Sequence, residues 1–205
     1  KALKVVYLHQ HFTTNRGSSG TRSYDVSRHL LSMGHEVTMI CGLFELGGLD
    51  PMPSGQLFRR ETIDGIEVIA CNVPYANKMK VPQRIVAFFG YAALATVAAL
   101  REDGTDVVFG TSTPLTVGLP SRIAARLKRI PYVFEVRDLW PEDLVAAGRL
   151  EPGLKLKFWE WLERYSYGRA EKILLVSKGF HDRLLERGMA PERLRTLLLG
   201  GDGRL

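Results

Sequence analysis

"LKVVYLHQHFTTNRGSSGTRSYDVSRHLLSMGHEVTMIC", residues 3–41, carries three signals in order. The β-branched apolar run Leu3 to Leu8 reads as a strand. A Gly- and Ser-rich loop then leads into a helix expected over Thr21 to Met33, with Val26, Leu30 and Met33 at i, i+4 and i+7 and Gly34 as its stop. A second apolar run, Glu36 to Cys41, completes a β-α-β unit.

The same alternation continues outward. Ile66 to Cys71, Asp106 to Phe109, Tyr132 to Val136, Lys172 to Val176 and Arg195 to Leu199 read as further strands. Helix-period stretches separate most of them. One follows Pro114, with Leu119, Ile123, Ala124 and Leu127 as its expected buried stripe, and another holds Phe158, Leu162 and Tyr165. The pattern predicts an α/β, Rossmann-like, doubly wound and mainly parallel sheet of about seven strands with helices on both faces. Residues 43–65, rich in Gly and Pro, read as an irregular excursion. The glycines at 200–205 read as the start of a hinge that closes a domain over 1–199.

Of 205 residues, 45% are hydrophobic and 24% charged, which suits a soluble globular chain with a sizeable core. The two cysteines, Cys41 and Cys71, lie in apolar runs without metal-ligand spacing, so no disulfide framework or metal site is expected. That cysteine usage predicts a reducing, cytoplasmic setting. A formal charge of +6 points to an anionic partner. The basic residues are scattered and lack nucleic-acid-binding motifs, so nucleic acid is not the expected partner.

"IVAFFGYAALATVAAL", Ile85 to Leu100, is uncharged but short of the roughly 20 residues that span a bilayer. It reads either as a helix buried on the sheet or as an apolar tip. In the second reading Phe88 and Phe89, rimmed by Lys78, Lys80 and Arg84, contact an anionic membrane surface peripherally.

In open α/β sheets ligands lie beyond the carboxyl ends of the strands, so the loops there carry the candidate chemistry. His9, Gln10 and His11 end the first strand. Gly17, Ser18, Ser19, Gly20 and Thr21 lead to a helix N-terminus, which favours an anion, although neither G-x-G-x-x-G nor a P-loop lysine is present. Thr111, Ser112 and Thr113 cap the next helix or offer hydroxyls to a polar ligand. "EVRDLWPED" gathers Arg137, Asp138 and Trp140. Its acids and Pro141 suit a helix start, while a carboxylate and an indole also suit sugar recognition.

Together "VVYLHQHF", "GSSGTRSYDVSRHL", "GHEVTMIC", "FEVRDLWPE" and "ILLVSKGFHDRLLERG" resemble, in order and over essentially the whole chain, the N-terminal domain of family 4 retaining glycosyltransferases, of the bacterial cell-surface polysaccharide type. The resemblance implies a two-domain GT-B architecture and metal-independent sugar transfer with retained configuration. It also implies a nucleotide-sugar co-substrate, UDP- or GDP-linked, and no other cofactor. The acceptor would be a glycan or a polyprenyl-diphosphate-linked sugar, at the inner face of the cell membrane.

On this resemblance the chain is the acceptor-binding half and is inactive alone. Residues Gly17 to Thr21 face the donor diphosphate, and Asp138 with Arg137 serves catalysis. His9, Gln10, His11, Thr111, Ser112, Thr113 and Trp140 serve the acceptor. Many members have a His in the loop where Arg137 precedes Asp138 here, so no catalytic His is carried over. Two other classes stand beside this one: an NAD(P)-binding Rossmann domain of an oxidoreductase, disfavoured by the missing glycine fingerprint and by Cys41 where an acid is usual, and a non-catalytic membrane- or partner-binding module.

Overall fold

The computed structural model describes residues 1–148 and 150–198; the expected hinge at 200–205 lies outside the described residues. Among them eight strands form one sheet: β1 (Lys4–Leu8), β2 (Glu36–Phe44), β3 (Phe58–Ile63), β4 (Ile66–Tyr75), β5 (Val107–Thr111), β6 (Tyr132–Val136), β7 (Lys172–Leu175) and β8 (Leu194–Thr196). Their spatial order is β3-β4-β2-β1-β5-β6-β7-β8. All neighbours pair parallel except β3 with β4. The helices are α1 (Arg22–Ser32), α2 (Val81–Arg101), α3 (Gly118–Lys128), α4 (Glu142–Ala146), α5 (Leu154–Gly168) and α6 (Lys178–Glu186).

The additional strand, β3, lies inside the segment expected to be irregular. Its signal is "IDGI": Asp64 (φ 48°) and Gly65 (φ 84°) form a two-residue hairpin loop in the left-handed region, where Asp and Gly are the preferred residues. The β2 and β4 strands also run past their expected ends, to Phe44 and Tyr75.

Because β-strand side chains alternate, β1 feeds two cores. Val6 and Leu8 join the cluster under α2, α3, α5 and α6, whereas Val5 and Tyr7 join the one under α1. Tyr7 stacks on Phe109 at 4.3 Å. Crossovers through α1 and through the later helices run in opposite directions along the sheet, and right-handed connections therefore put them on opposite faces.

Small residues form the closest helix contacts. The fully buried positions of α1 are Ser23 and Ser27, with Val26 and Leu30 only half-buried and Met33 60% exposed. In α3, Gly118, Pro120, Ser121, Ala124 and Ala125 are buried, and Leu127 points outward. A Cβ on Gly118 would collide with Ser166 of α5, so the α3–α5 approach requires glycine there. The expected stripes were displaced because close packing selects small side chains, which a hydrophobicity pattern does not register.

At 21 residues α2 is longer than its uncharged core suggested. Among the described helices it alone is long and apolar enough to cross a membrane. It packs on the sheet through Ala87, Phe88, Tyr91, Ala92, Ala95, Ala98 and Ala99, and the Tyr91 hydroxyl donates to the Ile40 carbonyl at 2.8 Å. Phe88 therefore corrects the membrane expectation: it is buried, with its ring 5.6 Å from that of Tyr75. Phe89 is 38% exposed, and Lys78 and Lys80 are exposed. Arg84 is tied back to the Met79 carbonyl at 3.0 Å.

Candidate functional site

The strand order reverses between β1 and β5, and the crevice beyond the carboxyl ends there is where such sheets bind ligands. A cleft of about 410 Å³ occupies it. His9 and His11 enter from the end of β1, Ser19 and Gly20 from the glycine loop, Thr113 from the end of β5, and Arg137 and Asp138 from the end of β6. Phe44, Asn77 and Val176 complete the lining. These three were missed because an apolar strand end and a lone Asn carry no chemical signature. Only the strand positions of Phe44 and Val176 could have pointed to them.

The β6 side is anchored from below. Glu135 is fully buried and pairs with Arg22 at 2.8 Å, while Thr111 donates to its other oxygen. Arg22 also donates to the carbonyls of Leu197 (2.9 Å) and Leu198 (3.2 Å), linking the start of α1 to the segment after β8. Ser112 accepts the Arg137 backbone N–H at 3.0 Å, and the Thr113 hydroxyl donates to the Asp138 carboxylate. Thr111 and Ser112 are thus buried supports and do not line the cleft. Only Thr113 of the three reaches it.

Both histidines are held neutral. Burial, reinforced by the Arg137 charge and by His11, pushes His9 well below its ordinary range. His11 is lowered to about 4 by burial, then by Arg137 and Arg84. The His9 Nδ1 lies 2.7 Å from the Ser23 hydroxyl, which leaves Nε2 for the cleft. His11 packs among Tyr75, Phe44 and Phe88, and its buried Nε2 has no partner. Gln10, expected to serve the acceptor, is instead fully buried and donates to the Ala87 carbonyl at 3.2 Å.

The glycine loop divides. Ser19 and Gly20 line the cleft, and a Cβ on Gly20 would meet open space. Gly17 is packed: a Cβ there would run into Thr13 and the Leu46 carbonyl. The Ser18 N–H donates to that same carbonyl at 2.9 Å, and Thr21 donates to Asp25 at 2.8 Å without capping α1. Trp140 corrects another expectation, since it packs edge-on against Trp159, 5.3 Å between centroids, and does not line the cleft.

Solved structures share this fold. Sucrose-phosphate synthase from Thermosynechococcus elongatus is 9% identical with a TM-score of 0.59, over 97% of this chain and 90% of that one. The catalytic domain of starch synthase IV from Arabidopsis thaliana, bound to ADP and acarbose, is 13% identical with a TM-score of 0.65, over 98% and 52%. Anabaena HepE in complex with UDP-glucose is 13% identical with a TM-score of 0.51, over 98% and 44%. The chain spans about half the length of the last two. No curated protein is similar enough in sequence to be matched. The model of the glycosyl transferase 4-like domain matches residues 17–200, and the chain belongs to that family.

Proposed function

We propose that this chain is the acceptor-binding half of a retaining glycosyltransferase that moves a sugar from a nucleotide donor to a glycan or lipid-linked sugar, and that it is inactive without a donor-binding half. One observation carries this reading: Asp138, Arg137, two neutral imidazoles and an open glycine meet in one cleft at the strand-order reversal. A carboxylate held by Thr113 orients an acceptor hydroxyl by accepting its hydrogen bond. Arg137 and the space over Gly20 suit the approach of a donor diphosphate, with guanidinium forks matching phosphate oxygens. The UDP-glucose bound to HepE and the ADP bound to starch synthase IV support a nucleotide-sugar donor, which we take to be UDP- or GDP-linked. The oxidoreductase alternative lacks the glycine fingerprint and is not favoured by the family match.

Peripheral contact with the inner face of a membrane belongs to the same proposal. Its support is an apolar patch on α2 and α5, where Val86 is 73% exposed and Leu154 85%, with Phe89 facing Phe158 at 6.3 Å. Lys78 and Lys80 just before α2, and Lys155 and Lys157 on α5, are exposed at the same two helices, a composition that suits an anionic headgroup layer. In the enzyme that contains this domain, Asp138→Asn is expected to lower kcat by about 10²-fold or more while leaving the melting temperature in place. A rate within about twofold of the parent would remove Asp138 from the chemistry. Phe89→Ser with Phe158→Ser is expected to abolish co-sedimentation with anionic liposomes, and unchanged sedimentation would remove the membrane reading.

A further inference from the structure

The sheet has a second end. Opposite the cleft, where β6 begins, α3 and α5 terminate around another pocket of about 410 Å³. Arg122, Arg126, Arg129 and Arg169 all line it, beside Tyr132. Among the described residues no carboxylate lies within 4.0 Å of any of these four guanidiniums.

Basic residues at helix C-termini are ordinary, because each terminus carries roughly half a negative charge. Here that accounts for too little. Two helix ends supply about one unit of negative charge against four positive ones, and the balance of about three has no carboxylate within 4.0 Å among the described residues. One of the arginines is also held in place. Arg122 donates to the Tyr165 carbonyl at 2.6 Å and lies 4.1 Å over the Tyr165 ring, which fixes the guanidinium plane. Arg129 occupies the left-handed position that ends α3 (φ 59°), where Gly or Asn is the usual residue.

We propose that this pocket binds a phosphate or diphosphate group carrying two or more negative charges, at a site separate from the cleft and independent of the transferase reading. Arginine forks bind phosphate oxygens in pairs, and convergent guanidiniums without carboxylate partners select a polyanion over a monoanion. The phosphate can be soluble or lipid-borne. On α5 Tyr165 adjoins the exposed Trp161 at 5.4 Å, which places the pocket beside the apolar patch.

The test is isothermal titration of inorganic pyrophosphate into the chain carrying Arg137→Gln, which removes the cleft's own guanidinium. One binding event is expected, weakening with added salt. Adding Arg126→Gln and Arg169→Gln, both exposed positions, is expected to weaken it at least about tenfold; Arg129→Asn, which tolerates the left-handed backbone, is expected to act in the same direction. Vesicles with and without phosphatidate separate the sources. Sedimentation that depends on these arginines and is competed by pyrophosphate assigns a lipid phosphate, and pyrophosphate binding without that dependence assigns a soluble one. No heat of binding, or equal affinity in the folded arginine variants, overturns the proposal.

Discussion

The two walls of the cleft are built by different means. The wall after β5 and β6 is a network of side chains standing on the buried Arg22–Glu135 pair. The glycine wall is held by its backbone, with Thr14 N–H on the Gly47 carbonyl and Ser18 N–H on the Leu46 carbonyl, each at 2.9 Å. The first wall presents charge in a fixed orientation. The second presents little but space, and Arg22, just after the glycine loop, joins the two.

Breaking the charged wall at its base gives the largest expected effect. Glu135→Ala leaves Arg22 largely buried and Thr111 without an acceptor, and the expected loss is about 3–5 kcal/mol in denaturant unfolding. A loss under about 1 kcal/mol would mean that the network does not rest on this pair.

His11 sits where the walls meet the apolar floor, and its burial makes stability depend on pH. Its folded-state value of about 4 lies below the ordinary 6.5, so the unfolded chain takes up the proton first. The contribution is complete above about pH 6.5 and is lost as pH falls toward 4, amounting to about 3 kcal/mol. Unfolding measured from pH 7.5 to 4.5 should show this slope added to that of His9, which is also held below its ordinary range, and His11→Phe should reduce the total while leaving the His9 part. An equal slope in the variant would assign the titration elsewhere.

The glycine wall is sharpened by a pair. Gly17→Val forces a side chain into Thr13 and Leu46 and is expected to cost about 1–3 kcal/mol. Gly20→Val projects into open space and is expected to change stability by no more than about 0.5 kcal/mol while slowing transfer in the whole enzyme. If both variants lose stability equally, the loop is a single packed unit and the division between its glycines is wrong.

Several elements were legible because their signals are local. Continuous β-branched runs marked the strands of both halves of the sheet, whereas β3 was missed: its "IDGI" hairpin turn lies at the end of a stretch dominated by Gly and Pro, which reads as irregular. The strand-end rule points to His9, His11, Ser19, Gly20, Thr113, Arg137 and Asp138, which line the cleft. It could not separate lining residues from their supports. Thr111 and Ser112 precede Thr113 directly, and alternation along a strand with the turn that follows decides which hydroxyl is buried. Phe88 and Phe89 are equally apolar, and only the rotation of α2 on the sheet buries one and exposes the other. For that reason Phe88→Asp would break the core.

By itself the sequence determined the α/β alternation, the parallel sheet and the loops where chemistry gathers, because hydrophobic period and turn residues act over a few neighbouring positions. The tertiary structure decided what those loops do together. The strand-order reversal brings residues from positions 9 to 176 around one cleft, and the pairing of Arg22 with Glu135 spans 113 positions. The meeting of four arginines at the far end likewise depends on how α3 and α5 end against β6. Such contacts depend on the packing of whole elements, where close approach selects serine and glycine as readily as leucine, and no local pattern encodes them.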